Sequence, residues 1–308
     1  MDRRRTLDLA NKGLVALPPA EQLAAYTGLD LDRNELTALP DEIGTLAQLR
    51  SLSLYHNRLQ SLPESLCRLV KLRRLNVSEN RLECLPEALG DLRQLRMLDA
   101  GHNRIGALPD SLGNLRQLEF LYLSNNQLSG VPPSLAGLKR LVYLNITDNG
   151  LEDFPEVIGS LTSLVELRLY NNRLTRIRES IGQLGQLREL HLMNNRLVAL
   201  PGSIGRLTNL RKLDLQDNQL PSLPDSFSGL GSLTDLNLRN NALTSLPASI
   251  SRLRRLRFLD LRANRLTSLP TGVGDLPRLE KLDLRWNQLT SVPRWLNALE
   301  RGGCTVYL

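Results

Sequence analysis

The chain has 308 residues, of which 41% are hydrophobic and 23% charged, as in a folded protein with its own core. No run of 18 apolar residues occurs, and the first thirteen residues, MDRRRTLDLANKG, lack the apolar segment of a secretory signal, so neither a membrane span nor export is expected. The formal net charge of +7 makes nucleic acid and anionic surfaces worth testing as partners.

The cysteines and lysines bear on the compartment. Cys67, Cys84 and Cys304 lie far apart without a CxxC pair, which argues against a disulfide framework or a cysteine zinc site and for a reducing compartment. Lysine is rare beside arginine, a bias that favours a GC-rich bacterial genome. We therefore expect a cytoplasmic bacterial protein, or one delivered into a host cell.

The N-terminal segment, residues 1–28, is predicted to be a cap with a first short repeat. The sequence LDLANKGLVALP (residues 7–18) has Lys12 where later copies have asparagine. The basic residues before Leu7 are expected to fray.

Residues 29–293 consist of a repeat of 23 residues, the frame LxLxxNxLxxLP followed by IGxLxxL or a close variant. LDLDRNELTALP (residues 29–40) is one copy. An asparagine marks the same position of every copy: Asn34, Asn57, Asn80, Asn103, Asn126, Asn149, Asn172, Asn195, Asn218, Asn241, Asn264 and Asn287.

Each position of the frame has a physical reason. The LxL alternation predicts a short strand with both leucines in the core, and the asparagine amide can satisfy the backbone of a buried turn. The proline begins the opposite side, where IGxLxxL predicts a short helix or 3₁₀ turn. The predicted fold is therefore an α/β solenoid, with a parallel sheet on the concave face and short helices or 3₁₀ turns on the convex face.

Residues 294–308 are predicted to form the C-terminal cap of one continuous domain. PRWLNALERGGCTVYL, which begins at Pro293, indicates a short helix, a turn and a last strand, with Trp295 and Tyr307 expected to cover the open end of the core. We expect a monomer, although the terminal strand leaves an end-to-end dimer as an alternative.

The repeat resembles the leucine-rich repeats of plant intracellular Ras-group-related proteins, and it is similar to those of many bacterial proteins. The resemblance implies a non-enzymatic scaffold that binds a protein, and it makes a small GTPase or another signalling protein a plausible partner class. A bacterial effector that recognises a host protein is the alternative.

Aromatic and sulfur-containing side chains are concentrated on the predicted concave face, where they form a candidate partner-binding surface. Phe120 and Tyr122 flank a single leucine, and Tyr143 and Tyr170 follow on the next two strands. Such clustering is typical of binding hot spots, whereas aromatics chosen only for strand propensity should spread over all strands. The candidates are Tyr55, Met97, Phe120, Tyr122, Tyr143, Tyr170, His191 and Met193.

Charged residues on the same face complete the candidate surface. Arg239, Arg262 and Arg285 form a column that can either anchor carboxylates of a partner or pair with Asp260 and Asp283. On two neighbouring strands further toward the N-terminus lie Glu166, Arg168 and Glu189. These are interpreted as partner contacts; for the two glutamates, solvated carboxylates are the alternative, and calcium ligands are a less favoured one.

The charge distribution argues against nucleic acid on the concave face, where acidic residues outnumber basic ones. A ridge of arginines after the asparagines leaves phosphate or an anionic surface as an alternative: Arg58, Arg81, Arg104, Arg173, Arg196 and Arg265.

No enzyme, catalytic residue, metal or cofactor is predicted. His56, His102 and His191 lie in separate repeats, each without a metal-ligating companion at usable spacing, and GxSxG, P-loop and GxGxxG motifs are absent from the sequence.

Overall fold

The computed structural model describes residues 6–308 and divides into an N-terminal unit, up to Gly150, and a C-terminal unit, from Leu151. The basic residues that were expected to fray lie mostly in 1–5, outside the described residues. Each unit is built from the same repeat.

The N-terminal unit contains a parallel sheet whose short strands lie side by side in chain order. The middle residue of each strand, a leucine, pairs with the equivalent leucine of the next strand, as Leu98 does with Leu121. The strands are β1 (Thr6–Asp8), β2 (Gly28–Asp30), β3 (Ser51–Ser53), β4 (Arg74–Asn76), β5 (Met97–Asp99), β6 (Phe120–Tyr122) and β7 (Tyr143–Asn145).

The C-terminal unit follows the same plan, and its strands are also parallel and in chain order. In the last strand a valine replaces the leucine, with Val306 paired to Leu282. The strands are β8 (Glu166–Arg168), β9 (Glu189–His191), β10 (Lys212–Asp214), β11 (Asp235–Asn237), β12 (Phe258–Asp260), β13 (Lys281–Asp283) and β14 (Thr305–Tyr307).

In the complete repeats, the segments opposite the sheet are 3₁₀ turns. The sequence predicted short helices or 3₁₀ turns here, and the structure shows the second of these. Two short α-helices lie near the ends, α1 (Ala20–Leu23) and α2 (Leu296–Arg301). The 3₁₀ turns are Asp41–Thr45, Glu64–Arg68, Glu87–Asp91, Asp110–Asn114 and Pro133–Gly137 in the N-terminal unit, and Glu156–Ser160, Glu179–Gln183, Gly202–Arg206, Asp225–Gly229, Ala248–Arg252 and Thr271–Val273 in the C-terminal unit.

Close stacking of these turns explains the glycine and serine of the frame. A Cβ atom placed on Gly113 would lie 2.1 Å from the backbone oxygen of Ser134, and the same conflict would arise between Gly205 and Ser226 at 2.0 Å. Because no larger side chain fits at the glycine, neighbouring turns approach closely enough to close the core behind the leucines.

The core is a column of aliphatic side chains. The two leucines of each interior strand segment are almost completely buried, for example Leu121 and Leu123 with no exposed area. Each such side chain stabilises the fold by about 1.5–3 kcal/mol. Each unit is therefore a leucine-rich repeat solenoid, and the predicted fold class is confirmed.

The asparagine side chains connect each turn to the repeat before it. The Oδ1 atom of Asn195 accepts a hydrogen bond from the Leu174 N–H at 3.0 Å. Its Nδ2 atom donates to the carbonyl oxygens of Leu169 and Leu192, both at 3.0 Å. Asn126 makes the same set of bonds in the N-terminal unit. One side chain thus satisfies backbone groups that water cannot reach.

The residue before each asparagine adopts a left-handed backbone, which the sequence analysis did not foresee. Asn125, at a φ of 53°, is well suited to it, whereas Ala263 at 52° and Trp286 at 60° are not. The turn demands this conformation whatever side chain is present, so these positions carry local strain.

The C-terminal cap has the predicted helix, turn and strand, but only one of its two aromatic residues covers the core. Trp295 packs on Gly274, where an added Cβ would lie 3.0 Å from the indole ring. The predicted cap role of Tyr307 is wrong, because Tyr307 is in register with Asp283 and 40% exposed. Val306, not Tyr307, occupies the core position of this strand.

Among residues 6–308, the structure contains no helix with the length and apolar character that a membrane crossing requires.

Candidate binding surface on the concave face

Three positions of each repeat define the concave face: the first and third residues of the strand and the second residue after it. They face away from the core because side chains alternate along a strand while the leucines point inward. In β6 these positions hold Phe120, Tyr122 and Ser124. The repeat frame fixes where these side chains lie and leaves their chemistry free.

The N-terminal unit carries what we call the aromatic surface, formed by Met97, Phe120, Tyr122 and Tyr143. Phe120 lies opposite Met97 on one side and Tyr143 on the other. The rings of Tyr122 and Tyr143 are tilted by 37° with their centroids 4.7 Å apart, an attractive arrangement. Phe120 is 38% exposed. The structure thus brings these four predicted residues together.

Tyr55 lies apart from the aromatic surface, since the strand before it, β3, is three strands from β6, roughly 14 Å at ordinary strand spacing. Its hydroxyl donates to Glu79 Oε1 at 3.1 Å, and the other oxygen of that carboxylate lies 2.7 Å from His56 Nδ1. The Arg33 guanidinium lies 5.9 Å from the Tyr55 ring centroid. Tyr55 therefore belongs to a separate polar cluster.

The C-terminal unit carries what we call the Glu–Arg–His cluster, formed by Glu166, Arg168, Glu189 and His191. Strand register places Glu166 beside Glu189 and Arg168 beside His191. The Arg168 Nε atom lies 2.5 Å from Glu166 Oε1, and His191 Nε2 lies 3.2 Å from Glu189 Oε2 and 4.0 Å from Glu166 Oε1. The expectation that no histidine has a metal-ligating companion is therefore wrong for His191.

His191 is held in its neutral form by its surroundings. Its side chain is 7% exposed. Burial lowers its pKa, assisted by the positive charges of Lys212 and Arg168, and this outweighs the opposing effect of the hydrogen bond that the ring donates to Glu189. Tyr170 and Met193, at the third concave position of β8 and β9, are half-buried beside this cluster.

The arginine column pairs with the aspartates beside it. Arg262 pairs with Asp260 and lies 3.4 Å from Asp283, which also binds Arg285 at 2.7 Å. Burial acts to raise the pKa of Asp283, but hydrogen bonds from Arg285 and the nearby guanidinium charges hold it below its usual value. Arg239 is the member of the column without an ion pair among residues 6–308.

Two aromatic residues at the C-terminal end, Trp286 and Tyr307, contact the arginine column although neither was among the predicted partner-binding residues. The Arg285 guanidinium lies 4.9 Å from the Tyr307 ring centroid and 5.6 Å from that of Trp286, and Lys281 Nζ lies 5.3 Å from Tyr307. Trp286 is 65% exposed. The final residues TVYL lack the LxL frame, so only the register of β14 could reveal the place of Tyr307.

A shallow depression of about 260 Å³ lies on the concave face between β10 and β13. Phe258, 36% exposed, lines it together with carboxylates and the side chains of Lys212 and Lys281. The depression is open to solvent on one side. It suits a side chain of a macromolecular partner better than it suits an enclosed small ligand.

The buried cysteines are poor nucleophiles. Burial, with the nearby negative charges of Glu64 and Asp91, raises the pKa of Cys67 to about 12, and burial also raises the pKa of Cys304. Neither is therefore a thiolate at neutral pH.

Family models agree with this architecture over most of the chain. The leucine rich repeat model matches residues 27–82, 47–105, 185–243 and 208–266, and a leucine-rich repeat region model matches 82–195. A further leucine rich repeat model matches 278–299. The chain belongs to the leucine-rich repeat family.

Solved structures of the family resemble the chain closely. A leucine-rich repeat protein of Leptospira interrogans is 32% identical, with a TM-score of 0.90 over 98% of this chain and 83% of that one. The plant peptide hormone receptor RGFR1, solved in complex with RGF2, is 31% identical, with a TM-score of 0.70 over 96% of this chain and 57% of the receptor. The comparison with curated proteins gave no match.

A third structure of this family comes from an assembly of several proteins. The leucine-rich repeat chain FLRT2, solved in an octameric complex with Latrophilin 3 and Unc5D, is 25% identical, with a TM-score of 0.72 over 98% of this chain and 89% of that one. Leucine-rich repeat domains of this kind are typical protein-interaction modules.

Proposed function

We propose that this chain is a non-enzymatic scaffold that binds a protein partner on its concave face, with the aromatic surface of the N-terminal unit as the principal contact. The observation that carries the proposal is the packed pair of Tyr122 and Tyr143 beside an exposed Phe120. Tyrosine, phenylalanine and methionine are enriched in the buried centres of protein interfaces.

The rings of the aromatic surface contribute little to the stability of the fold. Leu121 and Leu144 already fill the core positions of β6 and β7, so the rings on the opposite face add nothing to the core. The Tyr122–Tyr143 contact contributes about 0.5–1.5 kcal/mol to the stability of the fold. A smaller or more polar pair at these positions would reduce stability by no more than this amount. Covering the surface with a partner would remove an exposed apolar patch from water.

The polar residues of the concave face are proposed as secondary contacts. Tyr55 lies in the N-terminal unit, and Tyr170, Met193 and the Glu–Arg–His cluster lie in the C-terminal unit. The arginine column would contribute mainly through Arg239, since Arg262 and Arg285 are already bound to aspartates. Paired charges of this kind favour specificity over affinity.

The partner class and compartment are proposed on separate grounds. The repeat type resembles that of Ras-group-related proteins, which makes a small GTPase or its regulator a class to test; a host protein recognised by a bacterial effector is the alternative. The three cysteines are free, and Cys84 is exposed, which is compatible with the reducing conditions of a cytoplasm. We propose a monomer, with pairing of two β14 edges as the alternative that light scattering can test.

The test compares three immobilised baits in a lysate of the producing cells. The first is the wild type, and the second carries Tyr122→Ser and Tyr143→Ser. The third carries Val70→Ser, which removes a 52% exposed apolar residue of the same unit away from the concave face. Captured proteins are identified by quantitative mass spectrometry, and binding of each purified candidate is then measured by calorimetry.

We expect a protein that binds the wild type and Val70→Ser and loses at least about tenfold in affinity with the double variant. Equal binding to all three baits would reject the aromatic surface as the site. Retention of DNA at physiological salt that is lost with Arg104→Ser would instead favour the arginine ridge.

A further inference from the structure

The Glu–Arg–His cluster brings three metal-ligating groups together on two neighbouring strands. The nearest ligand atoms of Glu166, Glu189 and His191 all lie within 4.8 Å of one another. The repeat frame creates this arrangement, because register sets the two glutamates side by side and puts His191 two residues after Glu189 on the same face. In sequence, Glu166 precedes Glu189 by 23 residues and His191 by 25, so it is the pairing of the strands that brings it to the other two.

The imidazole is prepared to act as a ligand. Its side chain is 7% exposed, and its Nε2 atom faces the two carboxylates at 3.2 Å and 4.0 Å. Histidine is the most common metal ligand of proteins, because its neutral ring carries a lone pair on one nitrogen. Little rearrangement is required of a side chain that is already confined.

The carboxylates supply the negative charge that a divalent cation needs. Glu166 is partly neutralised by Arg168, while Glu189 pairs with His191 through a hydrogen bond and lies in register with Lys212 on the next strand. Two adjacent carboxylates repel each other, and a cation between them would remove this repulsion. Arg168 and Lys212 nearby oppose a cation, so the affinity is expected to be moderate.

The ligand types select the metal. One imidazole nitrogen with two carboxylate oxygens suits zinc and related divalent transition metals, whereas calcium and magnesium prefer a full set of oxygen ligands. Three protein ligands leave a fourth position open toward the concave face, as in sites that bind a water or an external group.

We propose that Glu166, Glu189 and His191 bind one divalent transition-metal ion of the zinc class on the concave face of the C-terminal unit. This goes beyond the proposed scaffold function and does not depend on the aromatic surface, which lies in the other unit. With a partner bound, the open position could accept a histidine or carboxylate from it.

Calorimetric titration with zinc chloride in a non-chelating buffer tests the site, with cobalt absorption as a second readout. The variants are His191→Gln and Glu189→Gln, each checked for folding by circular dichroism. The matched control is His56→Gln, which breaks the other histidine–glutamate pair, where His56 Nδ1 lies 2.7 Å from Glu79 Oε2 without a second carboxylate in the cluster.

We expect one zinc ion per wild-type chain, unchanged binding by His56→Gln, and a loss of more than about tenfold in both cluster variants. Arg168→Gln should bind zinc more tightly than the wild type, because it removes an opposing charge. The absence of stoichiometric binding by the wild type, or equal binding by His191→Gln, would overturn the proposal.

Discussion

The two units use one repeat to present two different surfaces. In the N-terminal unit the concave positions of β5–β7 carry the aromatic surface, whose side chains contact one another through rings. In the C-terminal unit the same positions of β8, β9, β12 and β13 carry carboxylates paired with arginine and histidine. The leucine frame is the same in both, so the chemistry of the concave face is independent of the fold that supports it.

The largest expected effect tests whether the supporting frame is the same in both units. Asn195→Ala leaves the Leu174 N–H without its partner. The carbonyl oxygens of Leu169 and Leu192 each lose one hydrogen bond but keep another, from the side chains of Asn172 and Asn218. Since a buried unsatisfied N–H costs about 1–3 kcal/mol and each lost hydrogen bond about 0.5–1.5 kcal/mol, we expect the free energy of unfolding to fall by at least about 2 kcal/mol. Asn126→Ala should cost a similar amount, as measured by urea unfolding.

A large difference between these two variants would break the comparison, because it would mean that the asparagines do not play equal roles. Asn194→Gly is the matched control. The Asn194 side chain is exposed and donates to the Asn171 side chain instead of the buried backbone, and glycine tolerates its left-handed backbone, so the replacement should change stability little.

The second prediction concerns the ion pairs of the C-terminal unit. Asp283, with its side chain only 1% exposed, is bound by Arg262 and Arg285. Asp283→Ala should lower the free energy of unfolding by about 1–3 kcal/mol, because both guanidinium groups lose a buried partner. Tyr143→Ala in the aromatic surface should cost less and act mainly on binding. Thermal unfolding of both variants checks this.

Glu280→Ala is the control for Asp283, since it removes an ion pair with Arg257 in which both side chains are about half exposed. Such a pair contributes little, so no measurable loss is expected. Equal destabilisation by Glu280→Ala and Asp283→Ala would show that burial is not what makes the Asp283 pair strong.

A third prediction uses the left-handed turns, whose residues differ in how well they suit that conformation within one unit. In the C-terminal unit, Asn194 and Asn240 suit it, while Ala263 and Trp286 do not. Ala263→Gly should raise the free energy of unfolding by up to about 1 kcal/mol by removing the steric conflict. Ala242→Gly, at a position without positive φ, should lower it by about 0.5–1 kcal/mol.

The smallest expected effect is a pH dependence confined to the C-terminal unit. Because the pKa of folded His191 lies below its ordinary value, protonation favours the unfolded chain. Stability should therefore fall as the pH drops below about 6.5 toward the pKa of the folded state. Glu166, Glu189, Arg168 and Lys212 face the ring and define this response.

Urea unfolding of the wild type and His191→Gln at about pH 7.5 and 5.5 measures this dependence. The variant should lose less stability on acidification than the wild type does. An equal loss in both proteins would assign the response to other groups.

The fold was predictable because its determinants repeat. The LxL pattern located strands such as Phe120–Tyr122 and Glu189–His191, each of which begins one residue before its first leucine, and one asparagine per copy identified the turns. Their spacing also placed Phe120, Tyr122 and Tyr143 on one face. A pattern repeated many times leaves little room for another register.

What the sequence did not predict depends on side-chain conformation and on breaks in the frame. The orientation of His191 toward Glu189 and Glu166 arises from the rotamers of side chains on two strands, which spacing cannot fix. Tyr307 lies on the last strand, where the repeat frame ends. Trp286 lies within a regular copy, at the variable left-handed position before Asn287, where the frame does not specify the side chain.

The backward direction of the asparagine bonds has a consequence for biosynthesis. Asn80 Oδ1 accepts from the Leu59 N–H, 21 residues earlier in the chain, and Asn287 does the same for Leu266. A turn emerging from the ribosome therefore stays incomplete until the following copy has been translated. Folding should trail synthesis by about one repeat, and a stalled chain would expose the unfinished turn of its most recent repeat to chaperones and proteases.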